Sequence, residues 1–155
     1  MTSWSKIETA HPEFASRARE LFDVHKHKTL ATIRKDGSPR ISGTEISFVD
    51  GDIWFGGMPD SRKALDLRRD PRFALHGPTV DPSDNWKGDV KISGRALEVD
   101  DEAMRRKVAG SEGPPGNFHL FRADIVQLVI TAVEGNYLRI ESWSVDRGLR
   151  SFKRT

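Results

Sequence analysis

Two Asp-Gly pairs, Asp36-Gly37 and Asp50-Gly51, constrain this chain more than any other feature. The tight turn that joins neighbouring antiparallel strands needs backbone conformations that aspartate and glycine tolerate, and its twist matches that of the strands. Each pair lies between runs rich in β-branched and aromatic residues: "TLATIR" before the first, "PRISGTEISF" between them and "IWFGG" after the second. The spacing predicts three antiparallel strands in succession.

Pro12 suits a first helical turn, and Phe14, Ala18, Leu21, Phe22 and His25 fall on one helical face, which predicts an amphipathic helix over 12–26. A short helix is expected from about Ser61 to Arg69, ended by Asp70-Pro71 because a residue before proline resists helical geometry. "RFALH" then reads as a fourth strand, "GPTVDPSDNWKGD" as a long polar loop and "VKISGRALEV" as a fifth strand. "DDEAMRRKVA" carries acids first and bases later, the order a helix dipole favours, and "GSEGPPGN" cannot continue that helix. "IVQLVITAV", the turn "EGN" and "YLRIESWSV" form a last hairpin. The total is roughly seven strands and three helices, a β-dominated α+β class with a small antiparallel barrel or curled sheet closed by short helices. Periodicity leaves barrel and sandwich both open.

At 155 residues the chain is expected to form a single domain, 1–155, large enough to bury its own core. It has no cysteine, which excludes disulfides, thiolate metal sites and cysteine nucleophiles. Lys and Arg number 25 against 23 Asp and Glu, too balanced to advertise nucleic acid as a partner. No apolar stretch resembles a signal peptide or approaches a membrane span, so a soluble, cytoplasmic protein is expected. The motifs of serine hydrolases, dinucleotide-binding folds, phosphate loops and zinc peptidases are all missing from the sequence. His11, His25, His27, His76 and His119 are scattered, and no metal site is expected.

The stretch "GGMPDSRKALDLRRDPRF" holds the chemistry. Arg62 and Lys63 stand at the start of a helix, where free N–H groups and the positive end of the dipole favour anions over cations. One explanation is a solvated face that tolerates a small penalty. The other is a phosphate receptor built from the guanidinium, the ammonium, Ser61 and the helix N–H groups. Ser61 is also able to cap the helix through its hydroxyl. Arg40 opens the facing strand, and Gly56 and Gly57 let something approach the backbone closely. The three cues together favour a phosphate-bearing ligand.

The order of elements and "WFGGMPDSRKALDLRRDPRFAL" resemble the flavin-binding split barrels related to pyridoxamine 5'-phosphate oxidase. The match runs through Ser61-Arg62-Lys63, Asp70-Pro71-Arg72 and Phe73-Ala74-Leu75. The resemblance implies a homodimer of antiparallel split β-barrels, with flavin mononucleotide (FMN) or a 5-deazaflavin in the groove between subunits. It assigns the phosphate to Arg62 and Lys63 beside Ser61, places Arg40 toward the phosphate, and puts the backbone of Ser42, Gly43 and Thr44 near the ring. Two further cofactor-contacting positions, often Tyr-Thr in the oxidase, fall on Gly56 and Gly57, which removes two side-chain contacts and leaves more room.

Glu45 stands where the oxidase has a lysine, and the oxidase's substrate-phosphate residues near the C-terminus have no match, so vitamin B6 oxidation is not expected. The resemblance points instead to an FMN- or deazaflavin-dependent oxidoreductase that acts by hydride transfer on a small molecule. In such an enzyme the cofactor supplies the reactivity and no catalytic side chain need be visible. The alternative is a non-catalytic split barrel that carries or senses a flavin, haem or another planar ligand. Arg68, Arg69 and Arg72 either attract an acidic cofactor tail or form a solvated face offset by Asp66 and Asp70. Trp86 either covers a planar ring or lies at a dimer seam, and Trp143 is a candidate for ligand contact or for core.

Overall fold

In the computed structural model the described residues are 1–111, 113 and 116–155. The part of "GSEGPPGN" made by Glu112, Pro114 and Pro115 lies outside them.

The first two hairpins form as their turns predict. β1 (Lys28–Ile33) pairs antiparallel with β2 (Pro39–Thr44), and β3 (Ile46–Val49) pairs with β4 (Asp52–Gly57). The expected single strand "PRISGTEISF" is interrupted at Glu45, so the three predicted strands are four. Helix α3 (Arg62–Arg69) leads into β5 (Arg72–His76), β6 (Asp89–Glu98), α4 (Glu102–Ala109), β7 (His119–Glu134), β8 (Tyr137–Ser144) and β9 (Gly148–Arg154). Hydrogen-bonded neighbours run β2-β1-β5-β6-β7-β4-β3, with β8 on β7 and β9 on β8.

Two features turn this sheet into a divided barrel. β2 and β3 lie at opposite ends of the path yet are joined through Glu45 alone, so the chain itself brings the ends together. β7 carries two partners in succession along its length: β4 pairs with His119–Arg122, and β8 pairs with Gln127–Glu134. Between those stretches the register with β6 shifts at Ser93/Gly94. A Cβ on Gly94 would stand 1.9 Å from the Asp124 carbonyl oxygen, so only glycine fits the bulge.

The barrel core contains Leu30, Ile53, Phe55, Phe73, Leu75, Ile92, Phe121 and Ile125, with Phe55 packed 5.2 Å from Phe73 between ring centroids. α2 (Pro12–Asp23) covers it with Phe14, Ala15, Ala18 and Phe22. This helix ends three residues before the expected 26 and leaves His25 outside. The Lys28 ammonium turns back to donate to the His25 and Lys26 carbonyls. A further helix, α1 (Trp4–Ala10), was not expected, although Trp4 and Ile7 are spaced for one buried face and Ser3 caps it. Nine strands and four α-helices thus replace the expected seven and three among the described residues, within the expected β-dominated α+β class. No described helix is long and apolar enough to cross a membrane.

Candidate functional site

α3 lies along the β1–β2 hairpin and is tied to it at three points. Lys63 Nζ donates to the Gly43 carbonyl at 3.0 Å, Asp66 accepts from Arg40 Nε and Thr32 Oγ1 at 2.7 and 2.8 Å, and Arg69 donates to the Ile33 carbonyl at 2.7 Å. β2 ends the strand path, so one edge of its backbone faces no other strand. The lysine uses that edge. Arg40, Ser42 and Thr44 share the more buried side of β2, while Ile41 and Gly43 share the exposed one.

Asp66 is the electrostatic anchor of this arrangement. Its carboxylate is almost fully buried and accepts from Thr32, Arg40 and Arg69. Burial pushes its pKa up, but the bonds from Arg40, Thr32 and Arg69 outweigh it and hold the group below the usual carboxylate range. Arg40 therefore spends its Nε on Asp66, and only its Nη groups remain for another anion.

The turn before α3 is tighter than glycine spacing suggests. Asp60 has a positive φ of 57°, and the Ser61 N–H donates to the Met58 carbonyl at 3.0 Å. Ser61 does not cap the helix: no helix N–H reaches its hydroxyl, and Ser61 Oγ is buried with no hydrogen-bond partner among the described residues. A Cβ on Gly57 would stand 2.7 Å from that oxygen, and one on Gly56 would meet the His119 carbonyl at 3.0 Å and the Phe118 ring at 3.4 Å. The expectation that the two glycines leave room is thus corrected. The chain's own Ser61 and Phe118 fill the space where larger side chains would go.

No acidic residue lies in the first turn of α3. Arg62 is exposed and makes no ion pair or side-chain hydrogen bond among the described residues. Lys63 is half-buried without a carboxylate partner among the described residues, and burial lowers its ammonium pKa. A buried hydroxyl, an exposed guanidinium, a desolvated ammonium and the free N–H groups of the first turn therefore fall within a few consecutive residues at the start of α3. Together these donors suit a phosphate: each oxygen of a dianion needs several donors, and none here is neutralised by a neighbouring acid. Three cavities on the chain, of about 320, 590 and 360 Å³, do not include Arg62 or Lys63 in their linings. Of the donors, Arg62 is exposed, Lys63 is half-buried and Ser61 Oγ is buried.

The other arginines named from the sequence are occupied. Arg68 makes two bonds to Glu98, Arg69 binds Asp66, and Arg72 binds Asp70, whose pKa its hydrogen bonds lower to about 2. The charged helix face is offset by neighbouring acids, with Glu98 added to the expected Asp66 and Asp70. Glu45 is exposed and faces Lys26 at 3.6 Å. Trp143 belongs to the core, whereas Trp86 is half-buried in its loop and donates to Asp89 at 3.0 Å. Among the described residues no group of His, Asp and Glu is arranged to hold a metal ion.

Sequence reasoning passed over His119. It pairs in register with Gly57, and its ring is held on both sides, by Glu98 at 2.7 Å and by the Asp60 N–H at 3.2 Å. Nothing in local spacing links 119 to 60; the contact exists because β7 runs beside β4.

The family model described as pyridoxamine 5'-phosphate oxidase matches residues 14–132. No curated protein matches the chain. Among solved structures, a pyridoxamine 5'-phosphate oxidase-related, FMN-binding protein from Nostoc punctiforme is 16% identical, covers 100% of this chain and 98% of its own, and superposes with a TM-score of 0.62. PhzG from Burkholderia lata, solved with tetrahydrophenazine-1-carboxylic acid, is 16% identical over 98% of this chain and 93% of its own, with a TM-score of 0.66. A haem binding protein from Mycobacterium smegmatis is 18% identical over 82% of this chain, and this chain spans 56% of it, with a TM-score of 0.65. These likenesses identify the divided barrel as the fold they share.

Proposed function

Because the chain belongs to the pyridoxamine 5'-phosphate oxidase family, we propose that it is a flavin-dependent oxidoreductase that binds FMN, or a 5-deazaflavin in its place, through the phosphate. The observation that carries this reading is the cluster of donors without an acid partner among the described residues at the start of α3: buried Ser61 Oγ, exposed Arg62, and Lys63, desolvated and bonded only to the Gly43 carbonyl. When bound, a flavin supplies hydride transfer; the protein supplies binding, orientation and exclusion of water.

In this reading Ser61, Arg62 and Lys63 hold the phosphate, with Arg40 adding its Nη groups while Asp66 fixes its Nε. The unpaired backbone edge of β2 at Ser42, Gly43 and Thr44 would present backbone groups to the ring, with the Gly43 carbonyl already held by Lys63. Gly56 and Gly57 act differently from the oxidase's larger residues: they keep β4 close to Phe118 and Ser61, and so set the depth of the site. A second copy of the chain would cover the side that Arg62 exposes, which makes the working unit a homodimer. The substrate is a small molecule that reaches the same groove.

A visible spectrum of the purified protein, followed by titration, tests the proposal. An oxidised flavin gives two bands that reductant bleaches, and a deazaflavin gives one band near the violet edge. A Soret band would favour the non-catalytic reading, a carrier of planar ligands. Arg62→Ala combined with Lys63→Ala is expected to weaken FMN binding by about 3 kcal/mol, roughly two orders of magnitude. Unchanged affinity would move the phosphate elsewhere.

A further inference from the structure

His119 packs against the turn that leads into α3 and lines a cavity there, with its side chain 10% exposed. The Asp60 N–H points at Nε2 from 3.2 Å, so that nitrogen must be bare to accept. The remaining ring proton is then on Nδ1, where it donates to Glu98 Oε1 at 2.7 Å. Glu98 is in turn gripped by Arg68, which donates to its two oxygens at 2.7 and 2.9 Å. Those bonds, with the one from His119, hold the Glu98 carboxyl below its usual range against the effect of burial. Arg68 belongs to α3, so the relay runs from the helix through Glu98 and His119 back to the turn that starts the same helix.

Asp60 needs this support. A non-glycine residue at φ 57° sits in a left-handed conformation that costs energy, and the bond from its N–H to the histidine offsets part of that cost. The groups facing the ring are Glu98 on β6, Arg68 on α3 and Asp60 in the turn. Asp100 and Arg105, which pair with each other at 2.9 Å, line the same cavity of about 360 Å³ as His119.

We propose that His119 is a positioning residue for the phosphate-binding turn: neutral, it holds the Asp60 N–H and fixes Ser61, Arg62 and Lys63, and protonated, it releases them, so anion affinity falls with pH. The proposal rests on the flavin-phosphate reading of that turn. A proton on Nε2 would face the Asp60 N–H donor to donor, and the turn would have to open. The site would then discriminate by pH through a residue that never touches the ligand.

The test compares wild type with His119→Gln, whose amide oxygen can replace Nε2 as acceptor without titrating, and with His119→Leu, which has no acceptor. FMN affinity is measured by flavin fluorescence at about pH 8 and about pH 5.5. The phosphate of FMN also titrates in this range, but equally for every variant, so the ratio between variants isolates the histidine. The expected result is that wild type and the Gln variant agree within about threefold at the higher pH, and that wild type loses about tenfold more than the Gln variant at the lower. Hydrogen exchange of the Asp60 amide gives a readout that needs no cofactor: at equal pH it should be faster in the Leu variant and protected in the Gln variant. Equal pH slopes for wild type and Gln, or unchanged Asp60 exchange in Leu, would overturn the proposal. Loss of FMN binding from every variant and from wild type would instead overturn the flavin reading, while Asp60 exchange would still decide whether His119 holds the turn.

Discussion

Single residues decide where this backbone can bend. Gly94 sits at the register shift between β6 and β7, and its missing side chain is the reason the bulge closes: a Cβ there would overlap the Asp124 carbonyl oxygen at 1.9 Å. That neighbour is backbone and cannot rotate aside. Gly94→Ala is therefore expected to cost at least about 3 kcal/mol in a urea unfolding experiment, and wild-type stability would show that the bulge relaxes. Gly57 differs, because its neighbour at 2.7 Å is the Ser61 hydroxyl, the end of a short side chain able to rotate. Alanine at 57 should disturb ligand binding more than folding. Neither role was visible from composition. The glycines at 56 and 57 drew notice in the sequence as openings for a ligand, yet the contacts that fill them come from Ser61 and Phe118, the second of which is distant in the chain.

Between elements, Asp66 does most of the joining. It ties α3 to both strands of the first hairpin through Thr32 and Arg40, and its buried carboxylate is stabilised in the charged form. A carboxyl whose folded pKa lies below its unfolded value adds stability that is present above about pH 4 and lost as pH falls through the folded value. Wild type should therefore lose stability as pH drops below about 4, and Asp66→Ala should show a shallower decline. At neutral pH the alanine variant should be less stable by about 3 kcal/mol, since Arg40 and Arg69 lose their buried counterion. An identical acid profile for the two proteins would assign the acid sensitivity to Glu98 and Glu141, which are also held low by arginine partners. At this scale the sequence was readable where turns and periodicity act locally. The Asp-Gly hairpins, α3 and its stop at Asp70-Pro71 all formed. What it hid was long-range. α2 stops at Asp23 with Lys28 folded back beneath it, and the polar, mostly exposed β9 exists because β8 offers it an edge.

For the whole molecule, the path from β2 to β3 closes because one residue, Glu45, joins its two ends, and β7 is long enough to serve β4 and β8 in turn. Periodicity left barrel and sandwich undecided, since strand order depends on which edges meet after collapse. The cations of the proposed phosphate site stood out in the sequence because a helix start favours anions over cations. The support behind it, Asp66 against Arg40 and His119 against Asp60, did not, because both contacts join residues far apart in the chain. The central claim is that a phosphate is held by Ser61, Arg62 and Lys63. Titration with FMN and with riboflavin, which lacks the phosphate, tests it directly in wild type and in the Arg62→Ala, Lys63→Ala variant. The account predicts that wild type prefers FMN by roughly a hundredfold and that the variant binds both ligands alike. Equal affinity of wild type for the two flavins, or a preference that survives in the variant, would contradict it.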